Sequence, residues 1–215
     1  MSVNALKEAN KHRPLEPINA QSLRYSVHYD TPFIVFSDVH CRIELVEKLR
    51  LKHPNIPGVC LGDITNMGGI QPVNERSLSY FMAQPDIICL RGNHDRAIRY
   101  RCAAEMNQLE FIRYMSLSLT IVTPKGEYLC YHSLPKDEDT FVKPEVTEDQ
   151  FLKAYPLHLA KNPLAVLIGH NHGQWTKNFV STPTKLISVG ALCDAPHPYL
   201  LITPAAVNPV QALTV

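Results

Sequence analysis

Apolar residues in this chain come in short runs, and most runs stop at a cluster of polar side chains. Phe33-Ile34-Val35-Phe36 is the first, β-branched and aromatic, the pattern of a strand buried on both faces. It leads straight into Ser37-Asp38-Val39-His40. In an extended segment side chains at i and i+2 share a face, so Asp38 and His40 are expected to reach one point beyond the strand. Residues 41–52 place apolar side chains at 45, 46 and 49 among charges, a helix with one buried stripe. Residues 57–61 are a second strand, ending in Gly62-Asp63-Ile64-Thr65-Asn66, with a flexible loop at 67–69. A helix over 72–84 is stopped by Pro85. A third strand over 86–90 delivers Arg91-Gly92-Asn93-His94-Asp95, and a helix begins near Arg96. Strand and helix alternate, which predicts a parallel sheet built from right-handed crossovers with all three tips on one edge.

The second half repeats the pattern. Runs at 117–122 and 127–131 flank Thr123-Pro124-Lys125-Gly126 and read as a hairpin whose second strand ends at His132. Residues 133–150 form the longest apparent loop. Thr147-Glu148-Asp149-Gln150 fits a capping box opening a helix to about residue 160. Residues 165–168 are a further buried strand, ending in Gly169-His170-Asn171-His172, and strand-like pieces follow at 185–189 and 199–203. Residues 1–30 are polar and mixed, with Pro14 and Pro17, and read as an arm packed on the domain as a helical turn or an edge strand. Residues 31–215 then make one domain.

Composition narrows the class. At 215 residues, 45% hydrophobic and 19% charged, the chain can bury a sizeable core and is neither disordered nor fibrous. No run approaches a membrane span and the start has no apolar signal region, so no membrane partner and a cytoplasmic location are expected. Six cysteines (41, 60, 89, 102, 130, 193) are scattered without a Cys-x-x-Cys pair and read as buried thiols in a reducing compartment. A net charge of +1 argues against long nucleic acid as a partner. Homo-oligomerisation is left open.

The strand tips carry the chemistry. Asp38, His40, Asp63, Asn93, His94, His132, His170 and His172 all follow apolar runs. One such tip is an ordinary turn, but five in one chain point to a metal site at the carboxyl ends of the strands. The set is too large for one ion and suits two, with Asp63, on the middle strand of the first three, as the natural bridge. Imidazole, carboxylate and amide donors without thiolate suit manganese, iron, zinc or cobalt. Two divalent ions, two carboxylates and a bridging hydroxide leave about one net positive charge, which favours a phosphate anion, and the ions lower the pKa of bridging water to make a nucleophile. His94, next to Asn93 but not needed as a ligand, is the candidate acid for the leaving oxygen. Asp95 is the candidate to orient its ring, and Arg91, Arg96 and Arg99 offer a basic rim for substrate.

In order, these blocks read Asp-x-His, Gly-Asp-x-x-Asn, Gly-Asn-His-Asp, a lone His, and Gly-His-x-His. Together they resemble the calcineurin-like metallophosphoesterases, and within them the small single-domain phosphodiesterase and phosphatase branch. The resemblance implies an α/β fold, an αββα sandwich of two mixed β-sheets flanked by helices. It implies that Asp38, His40 and His172 hold one metal and Asn93, His132 and His170 the other, with Asp63 shared. It implies two divalent ions, manganese foremost, with iron, zinc, cobalt or nickel as alternatives. His94 matches the catalytic histidine, and Asp95, Arg91, Arg96 and Asn66 complete the candidate site. Cys41 and Ser133 stand where glycine is common, Asn66 where aspartate is common, and Ser188-Val189-Gly190 in place of Asn-Pro-Gly.

The expected activity is hydrolysis of a small phosphomonoester or phosphodiester through the bridging hydroxide. A nucleotide phosphodiesterase or nuclease is the alternative, with the three arginines gripping further phosphates. A protein Ser/Thr phosphatase and a non-catalytic scaffold on the same fold are the remaining alternatives, and the presence of His94 argues against the scaffold.

Overall fold

A computed structural model describes residues 24–67, 72–101, 106–135, 137–206 and 208–215. Residues 1–23 of the expected arm, 68–69 of the expected loop, Cys102 and the Arg99 side chain lie outside the described residues. Among the described residues eleven strands make two mixed sheets, and helices cover both outer faces.

The first sheet is built around β2 (Phe33–Phe36), β3 (Gly58–Cys60) and β4 (Ile87–Cys89), which pair in parallel. Their crossovers are helices α1 (Ile43–Lys52) and α2 (Pro72–Met82). Within this sheet the parallel expectation holds for these three strands only. β10 (Pro198–Ile202) and β11 (Val210–Thr214) extend the sheet antiparallel beyond β2. The second sheet runs in the order β1 (Arg24–His28), β5 (Ser118–Thr123), β6 (Gly126–Tyr131), β7 (Pro163–Ile168), β9 (Lys185–Ser188), β8 (Trp175–Lys177). The expected hairpin is β5–β6, antiparallel, while β7 pairs in parallel with both β6 and β9. Part of the stretch read as an arm is therefore an edge strand, β1, paired in parallel with β5.

Alternation along β2 shows how the layers form. Phe33 and Val35 face the other sheet and pack with Leu119, Ile121, Cys130, Leu167 and Ile187. Ile34 and Phe36 face the helices and pack with Leu45, Val46, Leu49, Leu78 and Phe81. A third cluster seats Phe151 and Tyr155 on the outer face of the second sheet. β2 and β3 thus bury both faces, which is why each reads as an unbroken apolar run.

Three elements differ from expectation. Helix α3 (Asn93–Arg101) starts at Asn93, not near Arg96, because the Gly92 carbonyl already accepts from the Arg96 N–H (3.0 Å). Helix α5 (Glu148–Ala154) has the expected capping box, Thr147 with Gln150, but ends six residues early. Pro156 has no N–H to continue it and forces Tyr155 into an extended conformation. Helix α4 (Met106–Tyr114) and strands β8 and β11 were not anticipated, since neither strand is an apolar run. No described helix is long and apolar enough to cross a membrane.

Candidate metal centre

Parallel neighbours place the ends of β2, β3 and β4 side by side, and β6 and β7 do the same in the second sheet. Backbone hydrogen bonds carry the pairing past the strand ends: Asp38 N–H to Gly62 O and His40 N–H to Asp63 O (both 3.0 Å), and Gly169 N–H to His132 O (2.9 Å). The sheets meet at this edge, where the Cys193 N–H donates to the Asp38 carbonyl (3.1 Å).

The chain is not extended here, so the i, i+2 argument for Asp38 and His40 fails in its mechanism. Asp38, His40, Asp63, His170 and His172 all have positive φ, between 44° and 63°. Left-handed backbone costs a non-glycine residue about 1–2 kcal/mol, and Asp and His are among the types that tolerate it best. Each tip turns sharply enough to aim its side chain inward. Gly92 serves the same closeness without positive φ: a Cβ there would lie 2.0 Å from Asp63 Oδ1.

Two groups of ligand atoms result. In the first, Asp38 Oδ1 lies 3.9 Å from His40 Nε2 and 3.7 Å from His172 Nε2. Two atoms bonded to one ion at about 2.1 Å can be no more than about 4.2 Å apart, so these spacings fit a shared cation. Asp38 Oδ1 and His40 Nε2 are buried with no hydrogen-bond partner, an arrangement that a cation would satisfy. In the second group, His132 Nε2 lies 3.4 Å from Asp63 Oδ2 and 3.1 Å from Asn93 Oδ1, and a His170 nitrogen joins within 4.8 Å. Asp63 also groups with His40 and His94, so it stands between the two sets.

The second ring nitrogens fix the tautomers. His40 Nδ1 faces the Thr65 carbonyl (3.2 Å), His132 Nδ1 the Leu61 carbonyl (2.9 Å), and His170 Nε2 the Asp139 carbonyl (3.1 Å). A carbonyl can only accept, so each of these nitrogens carries the proton and the other offers a lone pair. His172 Nδ1 bonds the Asp194 carboxylate at 2.7 Å.

The charge balance agrees. Asp38 and Asp63 are 0% and 1% exposed. Burial alone would raise the Asp63 pKa, but His132 and then His94 and His40 hold it down at about 2. Burial would lower the His132 pKa, yet Asp63 and then Asp38 raise it to about 9. Both shifts favour positive charge beside the buried carboxylates.

Not every expected role survives. Asp95 does not orient His94. Its carboxylate is fully buried and accepts from the N–H groups of Asp63 (2.9 Å), Gly92 (3.0 Å) and Thr65 (3.1 Å) and from the Thr65 hydroxyl (2.7 Å). It caps α3 and ties the Asp63 loop to the helix start. His94 Nδ1 is buried without a hydrogen-bond partner, while the His94 N–H donates to Asp63 Oδ1 (2.9 Å) and Nε2 lies 3.9 Å from Asp63 Oδ2. Arg91 and Arg96 do not form an open basic rim. Arg91 is buried on Glu138 (3.1 Å), and Arg96 pairs with Glu138 and Asp139. Asn66 has its backbone clamped by the Asn74 amide of α2.

Sequence reasoning also passed over Asp194 and the Asp139 carbonyl. Asp194 follows β9 and its loop, so the rule of carboxylates beyond strand tips would have found it. The carbonyl has no sequence signal.

A family model described as calcineurin-like phosphoesterase matches residues 31–193. Comparison with curated protein sequences returns no match. Among solved structures, the chain is similar to a metallophosphoesterase from Sphaerobacter thermophilus: 17% identity, TM-score 0.66, covering 87% of this chain and 89% of that one. It is similar to a hypothetical protein from Pyrococcus horikoshii, at 12% identity and TM-score 0.63 over 86% and 87% of the two chains. A protein serine/threonine phosphatase from Saccharomyces cerevisiae gives 12% identity and TM-score 0.52 over 89% and 84%. At these identities the structural matches speak to the fold alone.

Asp95→Asn should destabilise the protein by about 3 kcal/mol or more in urea unfolding, because an amide offers one acceptor oxygen to four buried donors. A role in orienting His94 would instead leave stability intact and lower turnover.

Proposed function

The chain belongs to the calcineurin-like phosphoesterase family and is a metal-dependent phosphoric ester hydrolase; we propose that its centre is dinuclear and acts on a small phosphomonoester or phosphodiester. Asp38, His40 and His172 would hold one divalent ion and Asn93, His132 and His170 the other, with Asp63 between them. The observation that carries this reading is the convergence of electron-rich atoms. His132 Nε2, Asp63 Oδ2 and Asn93 Oδ1 face one another within 3.4 Å of the imidazole nitrogen, and Asp38 Oδ1 and His40 Nε2 have no partner. Atoms of one polarity buried together need a cation. The donors, imidazole, carboxylate and amide, favour manganese, with iron, zinc, cobalt or nickel as alternatives. Bound there, such ions supply Lewis-acid charge for a phosphoryl group and a water of lowered pKa.

The chain's own part is to position and to move a proton. Neutral Asn93, where a third carboxylate would cancel charge, keeps the centre attractive to an anion. His94 projects from the first turn of α3, beside His40 (ring centroids 4.6 Å), with its backbone N–H locked on Asp63. Burial lowers its pKa, which Asp63 and Asp38 partly offset, and the negative charge of a phosphate would favour its protonated form. Its imidazolium then gives the proton to the leaving oxygen. The nuclease alternative rests on Arg91, Arg96 and Arg99, and the pairing of Arg91 and Arg96 with Glu138 and Asp139 takes away two of the three. The scattered cysteines keep a cytoplasmic setting as part of the proposal.

Two variants test the assignment. His94→Ala should bind metal as the parent does and lose about 10²–10⁴-fold in turnover of phosphoesters; loss of metal would contradict its role. Asp63→Asn should cost both ions in elemental analysis, and two ions retained per chain would show that Asp63 is not shared.

A further inference from the structure

Phe141 is 61% exposed, an aromatic ring left in water beside the metal centre. It is not loosely placed. Its ring stacks on that of His170, with centroids 4.2 Å apart and planes inclined by 29°. The neighbouring Val142 is buried and donates its N–H to Asn171 Oδ1 (2.9 Å). The Asp139 carbonyl bonds His170 Nε2, and Glu138 is buried between Arg91 and Arg96. Residues 138–142 are therefore fastened on one side to the Arg91–Arg96 stretch and on the other to His170 and Asn171. A ring already held in place loses little further freedom when a second ring lands on it.

With one face against His170, the surface of Phe141 that water reaches is the opposite face and the edge. A planar group seated there would be third in a stack that begins at a candidate ligand. A phosphate at the metal centre and a ring on Phe141 thus lie within the span of one small molecule. Arg91 and Arg96 do not define the rest of the ligand on this side, since both are committed to Glu138 and Asp139. These pairs leave no net positive charge from the four groups for an additional phosphate, and an uncharged aromatic group is the better fit.

We propose that Phe141 is the seat for a planar aromatic group of the substrate, a nucleobase or an aryl alcohol, and so sets which phosphoesters the site prefers. The proposal rests on the phosphoesterase reading above. It is tested by binding: calorimetric titration of the Mn²⁺-loaded protein with adenosine 5′-monophosphate, phenyl phosphate and glycerol 3-phosphate. Phe141→Leu keeps an apolar cover over His170 but removes the π face. It should weaken one or both aromatic phosphates about 5- to 100-fold, with glycerol 3-phosphate changed less than about twofold, and Phe141→Trp should restore binding. The aromatic ligand that responds more identifies the source of the ring. Metal content is measured in each variant. Equal weakening of all three ligands, with or without metal loss, would show that Phe141 acts only through His170 and would overturn the proposal. So would unchanged affinities, or failure of both aromatic phosphates to bind the parent. None of these readouts needs turnover, so a protein that hydrolyses no ester would refute the phosphoesterase reading separately.

Discussion

Two carboxylates without access to water, Asp38 and Asp63, set the terms for this structure. A buried carboxylate is tolerated only when paired, hydrogen-bonded or coordinated. Each has part of its need met by a backbone N–H: Asp38 Oδ2 by His170 and Asp63 Oδ1 by His94. The oxygen left over in each case points at imidazole nitrogens. In His40 and His132 the nitrogen so presented is the lone-pair nitrogen of the ring, because the other is committed to a carbonyl. The sandwich closes over these groups because a cation can satisfy them, and the depressed Asp63 pKa and raised His132 pKa show how strongly the pocket calls for positive charge.

That demand explains the backbone at the strand tips. Five candidate ligands adopt left-handed conformations that cost a side-chain-bearing residue free energy, and they do so where both sheets must deliver side chains into one small volume. Gly92 and Gly169 allow the same crowding from the other side. A Cβ on Gly169 would lie 1.9 Å from Ser37 Oγ, so the loop after β7 can press against the loop after β2 only without one. Asp95 then locks the arrangement by accepting four hydrogen bonds across the Asp63 and Gly92 turns. It is an architectural carboxylate a single residue away from a chemical histidine.

Much of this was legible in the sequence, for physical reasons. Strands buried on both faces leave apolar runs, so β2, β3, β4 and β7 were visible, and their tips carried the ligand types that brought the family resemblance. The match of a family model over residues 31–193 and the αββα layers agree with that reading. Edge strands such as β8 and β11 bury too little to leave a run. The left-handed turns at Asp38 and His40 have no adjacent glycine to announce them. Arg91 and Arg96 looked free because their acidic partners, Glu138 and Asp139, lie more than forty residues away in a stretch without periodicity. Asp95 does not serve His94, because adjacency in sequence places the two side chains on different faces of the first turn of α3.

The central claim is that two cations share this edge, with Asp63 between them. Anomalous diffraction from crystals of the Mn²⁺-loaded protein tests it most directly. The account predicts two peaks about 3.5–4 Å apart, one beside Asp38, His40 and His172 and one beside Asn93, His132 and His170, both in contact with Asp63. A single peak, or peaks away from Asp63 with the fold intact, would contradict it.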